Sequence, residues 1–332
     1  QNQADTYIVD YDTEGQGINI VFSGSTNGWI PNSDIANALT PVAPVTQKGI
    51  FAFGYSAGGG NFSISNLVNS SGVVASDTTG VGTARYYLGA ASYGGDKAIF
   101  GYGTTGSNVS LTNLVNNSGV VAADVSGVGT ARNGVGAVAY GNDKAIFGFG
   151  NDGSRVSTTN LVSNSGVVSS DVTGVGTGRQ AIAAASYGGD KAIFAYGTTG
   201  SDVSLSNLVS NSGVVASDVT GVGSARHQLG AAKYGTDKAI FGYGYTGSYV
   251  SLKNLVSNSG VVAADVSGVG TARSGVAATN YGGDKAIFGY GRAGSFFSIS
   301  NLVNNSGVVA ADVTGVGTVR GYLAAAGYSY SA

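Results

Sequence analysis

The chain has no cysteine, no methionine, one tryptophan, one histidine and three prolines in 332 residues. Without cysteine there is no disulfide framework. A chain of this length nevertheless buries roughly three quarters of the surface its unfolded form exposes, so it needs no staple, and its redox compartment stays open. Methionine is missing even at position 1, which reads as a processed product or a segment of something longer. Charge is scarce: 10% of residues carry it and the net charge is −2, giving neither the basic field that nucleic acid requires nor a polybasic membrane patch. Apolar runs stop short of the roughly 18 residues that span a bilayer, and QNQADTYIVD lacks the basic-then-apolar pattern of a signal peptide. Nucleic acid and membrane insertion are therefore not expected. Nor is a metal or another cofactor, because there are no His or Cys clusters and no Gly-x-Ser-x-Gly elbow before a helix.

What abounds is glycine, 57 residues without a Gly-X-Y period, together with Val, Ile, Tyr, Phe, Ser and Thr. This is a composition of short strands and tight turns. It is spent on repeats. GGDKAIFGYG at 94–103 returns almost unchanged at 141, 188, 235 and 282, and its lysine aligns Lys48, Lys97, Lys144, Lys191, Lys238 and Lys285, 49 residues apart once and 47 thereafter. A second phrase of the VGTAR type runs in step and ends in Arg85, Arg132, Arg179, Arg226, Arg273 and Arg320.

Within the unit 84–130, four segments read as strands: ARYYLGAASYG, DKAIFGYG, SNVSLTNLV and GVVAADVSGVG. Period two places Ala98, Phe100 and Tyr102 on one face of the second. No window holds a 3.6-residue apolar period for three turns, so helix is excluded. Four antiparallel strands per unit of 40–50 residues is the pattern of a β-propeller blade. Units such as ARNGVGAVAYGNDKAIFGFG resemble the kelch repeat over 47–332, although Gly-Tyr-Gly or Gly-Phe-Gly replaces its double glycine and the tryptophan of its last strand is missing. The predicted fold is all-β: a six-bladed kelch-like β-propeller with four-stranded blades and repeats starting near 47, 96, 143, 190, 237 and 284. The first unit lacks an arginine strand while RGYLAAAGYSYSA at 320–332 is one with nothing after it, so the two ends are predicted to complete one blade, with a linear solenoid as the alternative.

Residues 1–30 contain TYIVDYD and INIVFSG around the turn 13–17, a predicted hairpin or stalk segment, and 31–46, with Pro31, Pro41 and Pro44, reads as a connector. Such hairpins, followed by GWIP and QKGIF-type repeats, resemble segments of tail-fibre and other virion appendage proteins of tailed phages, notably those of cyanobacteria. The resemblance implies a virion or extracellular location, contacts with other fibre subunits through 1–46, a homo-oligomer, and a host-surface glycan or protein as partner.

Catalytic chemistry is thin. GYGTTG at 101–106 matches Gly-x-Gly-x-x-Gly, but an alternating segment follows it where a dinucleotide site needs a helix N-terminus. The six arginines read either as a cationic ring at the channel mouth or as partners of Asp77, Asp124, Asp171, Asp218, Asp265 and Asp312, each eight residues before an arginine. The expected set of catalytic residues is none, and His227 reads as a variable surface residue. The informative letters are those that differ between units. One window follows each arginine: Tyr86, Tyr87, Asn133, Gln180, His227, Gln228, Ser274, Gly321 and Tyr322. The other is the turn between second and third strands: Asn151, Asp152, Arg155, Asp202, Tyr245, Tyr249, Arg292, Phe296 and Phe297. Blade topology puts both windows on one face. They read either as a recognition surface rich in aromatic and amide groups or as drift at solvated loop tips. The leading expectation is a non-enzymatic tail-fibre propeller that binds through this face; the alternatives are a secreted bacterial adhesion or scaffold propeller and a polysaccharide depolymerase.

Overall fold

The computed structural model describes residues 20–22, 29–31 and 47–329. The chain divides into two compact units, Gln1–Pro44 and Val45–Ala332. In the first, Ile20–Phe22 pairs antiparallel with Trp29–Pro31, so the INIVF segment finds a partner downstream that reaches into the predicted connector. Pro31 lies opposite Ile20 at the end of this ladder, a place where a missing N–H is tolerated. The predicted strand at 6–12, the turn at 13–17 and the rest of the connector lie outside the described residues, as do 330–332.

The second unit is all-β, with no helix among the described residues. Its strands form six three-stranded antiparallel sheets in a β-propeller-like repeat. Five follow chain order, as in Gly89–Tyr93, Lys97–Gly101 and Thr112–Val115. The sixth joins the two ends of the repeat region, pairing Ala324–Tyr328 with Lys48–Ala52 and that strand with Ser65–Val68. The first strand of each sheet packs against the first strand of the next, and Ala324–Tyr328 packs against Gly89–Tyr93 to complete the cycle.

The predicted fourth strand is only partly formed. It touches the third through isolated bridges, Thr112↔Val125 and Val115↔Val121 in one sheet, with equivalents in the others. Between those bridges the outer segment has one residue more than its partner. The Asn113 Nδ2 donates to the Ala122 carbonyl at 3.0 Å and to Asp124 Oδ1 at 2.9 Å, occupying the place where a regular ladder would continue. The expected strand is thus a bulged edge.

Packing repeats at every junction. The second strand is buried on both faces, and its phenylalanine meets an aromatic of the preceding sheet, Tyr102 against Phe147 for example, with centroids 5.1–5.4 Å apart at all six junctions, edge-on at five and tilted at Phe53–Phe100. Tyr102 does not share the face of Ala98 and Phe100. It packs with Ile99 and Phe147, while Ala98 and Phe100 pack with Phe53. The cause is its left-handed backbone, φ 64°, which breaks the two-residue alternation. Beside it Gly101 lets the Phe147 ring approach, since a Cβ there would come within 2.7 Å of that ring; Ala52 and Ala195 fill the same place in two other sheets.

The arginines are wholly buried, which removes the cationic ring. Arg132 donates from Nε to the Phe149 carbonyl (2.8 Å), from Nη1 to Thr130 O (3.1 Å) and from Nη2 to Asn160 Oδ1 (2.6 Å), and its guanidinium lies 4.2 Å above the Tyr102 ring of the preceding sheet. Its ion-pair partner is Asp171 at 3.8 Å, an aspartate later in the chain, and not Asp124 eight residues before; Asp124 pairs with Arg85. Burial pushes Arg85 down to about 10, against the pull of Asp124, so it keeps its charge at neutral pH. Among the described residues, no buried side-chain nitrogen or oxygen lacks a hydrogen-bond partner.

Candidate functional site

The residue after each buried arginine bridges to the turn between second and third strands: Tyr86↔Thr104, Asn133↔Asn151, Gln180↔Thr198, His227↔Tyr245, Ser274↔Arg292 and Gly321↔Tyr55. The two variable windows therefore meet, six times, on one side of the repeat. The near-invariant turns meet on the other, where Asn117, Asn164, Asn211 and Asn305 donate to Asp96, Asp143, Asp190 and Asp284.

One residue further along, the backbone closes a ring. The N–H of Tyr87 donates to Tyr322 O, Gly134 to Tyr87, Ala181 to Gly134, Gln228 to Ala181, Gly275 to Gln228 and Tyr322 to Gly275, at 2.8–3.0 Å. All six residues have positive φ, between 53° and 64°, and four of them are not glycine. Left-handed backbone costs a non-glycine residue roughly 1–2 kcal/mol, so the ring holds Tyr87, Ala181, Gln228 and Tyr322 in a conformation they would not choose alone. Beneath it, Leu88, Val135, Ile182, Leu229, Val276 and Leu323 form a buried apolar layer. The mouth above encloses about 70 Å³.

The mouth has two unlike sides. On one, Tyr87 and Tyr322 lie 4.6 Å apart; Tyr86 is 5.2 Å from both Tyr87 and Tyr55, and Phe296 stands edge-on to Tyr55 (5.9 Å) and Tyr322 (6.1 Å). Gln228 Nε2 donates to the Tyr87 hydroxyl at 2.7 Å and its Oε1 accepts from Ser274 at 3.1 Å. Burial and the neighbouring Tyr322 and Tyr86 raise Tyr87 far above the ordinary phenol value, so it stays a neutral hydroxyl. Along this cluster, Tyr55, Phe62, Arg292, Phe296 and Tyr322 line a groove of about 830 Å³.

The other side is polar. Asn133 Nδ2 donates to Asn108 Oδ1 at 2.6 Å, and the corresponding pair one junction further, beyond Arg155 and Gln180, is Asp202 with His227, whose Nδ1 lies 2.6 Å from Asp202 Oδ1. Tyr245 stands edge-on to His227 at 5.6 Å and to Tyr249 at 5.3 Å. The Asp202 carboxylate and the His227 imidazole thus form one close acid–imidazole pair on this side of the face.

Three predicted residues stand apart. Asp152 accepts from the Ser154 N–H at an exposed hairpin tip, Arg155 is exposed at the start of the next strand, and Phe297 lies opposite Gly291, on the other side of its strand from Phe296. Tyr55, Phe62 and Asn108 belong to the face but were absent from the predicted windows, whereas Ser274, read as variable, lies on it opposite Arg292. Tyr55 was findable: it occupies the place of Thr104, Asn151, Thr198, Tyr245 and Arg292, masked by the longer first interval.

The first strands line the axis with small side chains. Ala90, Ala137, Ala184, Ala231, Ala278 and Ala325 form one layer, and Ser92, Ala139, Ser186, Lys233, Asn280 and Gly327 another. Lys233 brings the one lysine of that second layer, lowered from its ordinary value by burial and supported by Asp237. Among the described residues no three His, Cys, Asp or Glu side chains gather as a metal site, and no helix is long and apolar enough to cross a membrane. Compared with known proteins, the chain matches no protein-family model and no curated protein.

Proposed function

We propose that the second unit is a six-bladed, kelch-like propeller that acts by recognition and not by catalysis, binding a host-surface glycan or protein through the mouth face. The carrying observation is that the letters that break the repeat converge on one side, where aromatic rings, amides and one guanidinium stand on an internally bonded frame. Rigid aromatics supply contact area at low entropic cost and amides supply adaptable hydrogen bonds. Drift at loop tips would leave scattered polar residues, whereas Tyr55, Tyr86, Tyr87, Phe296 and Tyr322 form one contiguous cluster. The setting we propose is a virion appendage, a tail fibre, with residues 1–46 meeting other fibre subunits; a secreted bacterial adhesion propeller would use the same face.

The test is binding of the purified chain to a broad panel of surface glycans and to host cells, with Tyr322→Ala and Gln228→Ala beside the parent. Loss of binding with a retained cooperative melting transition is expected; binding that ignores both substitutions counts against the mouth face. Absence of the protein from purified virions, by mass spectrometry, would remove the appendage setting alone.

A second reading, a polysaccharide depolymerase, draws on the Asp202–His227 pair. It requires release of oligosaccharides from host envelope by the purified protein and loss of that release in His227→Ala.

A further inference from the structure

The groove beside the mouth combines two features that no other part of the face has together. Its walls are aromatic, from Tyr55, Phe62, Phe296 and Tyr322, and its one charged lining group is Arg292. The Arg292 guanidinium lies 5.9 Å from the Phe296 ring centre and makes no ion pair among the described residues, unlike the six buried arginines. The neighbouring Tyr322 hydroxyl raises it above its ordinary value, so it is a permanent cation. No carboxylate lines the groove. The aspartate behind it, Asp77, accepts from Thr318 and Asn66 and pairs with Arg320, so its charge is already met. In a chain of net charge −2, this is a local positive site on an aromatic floor.

The backbone here is saturated. Tyr55 and Gly321 exchange N–H···O bonds, as do Ser274 and Arg292. Around Tyr55 and Arg292 these main-chain groups are already paired, so a ligand there is read by ring faces, hydroxyls and the guanidinium. A pyranose offers a C–H face to an aromatic ring and hydroxyls to the rim, and a carboxylate matches the planar fork of arginine. The volume of about 830 Å³ falls in the range of roughly 300–1,000 Å³ usual for small-ligand sites.

We propose that this groove is a subsite for an acidic saccharide, with a sugar carboxylate on Arg292 and the sugar ring over Phe296 or Tyr322. The assignment rests on the recognition reading above and narrows it to one chemical class.

The experiment presents the full chain with uronate and sialoside oligosaccharides, their methyl esters, neutral oligosaccharides and poly-glutamate. The variants are Arg292→Gln, Tyr322→Ala and, on the opposite turns, Lys191→Gln. Carboxylated glycans should bind, and esterification or Arg292→Gln should each weaken binding about tenfold, the scale of one charge-assisted hydrogen bond. Lys191→Gln should change nothing. Equal binding of acids and esters, or indifference to Arg292→Gln, overturns the subsite. If a neutral glycan binds and is lost only in Tyr322→Ala, the acidic subsite falls while recognition by the face stands. Preference for poly-glutamate makes the occupant an acidic peptide and overturns the saccharide. Failure of every probe overturns the subsite, while recognition by the face stands or falls separately on binding to host cells.

Discussion

One peptide bond separates the most uniform position of the repeat from one of its most varied. Arg85, Arg132, Arg179, Arg226, Arg273 and Arg320 share one set of contacts, while the residues that follow are Tyr86, Asn133, Gln180, His227, Ser274 and Gly321. The backbone geometry is equally regular at both. What differs is where the side chain goes. The arginine enters a junction where its donors, an Asn, an Asp and an aromatic ring are fitted to one another, and any other residue leaves buried partners unmet. Its neighbour points to the mouth, where the ladder is already made by main chain and the side chain is free to change. Fold and ligand reading are thus carried by adjacent letters, which lets each be broken without the other.

Arg226→Ala should break the fold side hardest. It leaves the Tyr243 carbonyl and Asn254 Oδ1 without their donor in a closed junction and Asp265 without its cation, and removal of one partner from a buried pair costs about 3–5 kcal/mol. Urea unfolding measures this. Gln228→Ala, two residues away, loses only the Tyr87 and Ser274 bonds and should cost about 0.5–1.5 kcal/mol. Equal costs would erase the distinction between the two positions.

The aspartates of the same junctions give that side a pH signature. Burial alone would raise Asp171, but hydrogen bonds from Thr130 and Asn160 and the charge of Arg132 outweigh it, and the net direction is down from 3.8. The same holds for Asp77, Asp124, Asp218, Asp265 and Asp312. A depressed folded value means the contribution is complete above the unfolded value and is lost as pH falls through the folded one. The melting temperature should therefore stay level from neutral pH to about 5 and fall below about 4, less steeply in Asp171→Asn. A level profile down to about pH 2 would show that these carboxylates add nothing.

Ala181→Gly probes the mouth frame itself. Ala181 sits in the hydrogen-bonded ring at φ 53°, so glycine should relieve strain and raise stability by about 0.5–1 kcal/mol. A drop in melting temperature would show that the ring imposes no strain there.

How much of this was legible in sequence differs between the two sides. The repeat length, the joining of the two ends in one sheet and the side on which variation collects follow from periodicity, because a regular ladder converts spacing directly into position. The face of Tyr102 did not, since one left-handed residue shifts the alternation. The partner of each arginine did not either, because Arg132 and Asp171 are brought together by the sheet and not by nearness in the chain. The fourth strand failed for a third reason: Asn113 competes with the ladder through its side chain, which no hydrophobic pattern records. On the mouth, single letters were visible but their pairing was not. Asn108 with Asn133 and Asp202 with His227 lie 25 residues apart and meet only across a junction.

That pairing gives the smallest effect. If the varied letters are chosen in contact with one another, Asp202 and His227 should behave as a unit even though both are partly solvated. In a double-mutant cycle, Asp202→Asn and His227→Asn each break the pair, and the double variant rebuilds the Asn–Asn bond seen at Asn108 and Asn133. The coupling should be about 0.2–1 kcal/mol, the range of exposed polar pairs, with the double variant more stable than the sum of the single changes. Strict additivity would mean that the two positions vary independently, and the mouth would then be a set of separate contacts and not a set of matched pairs.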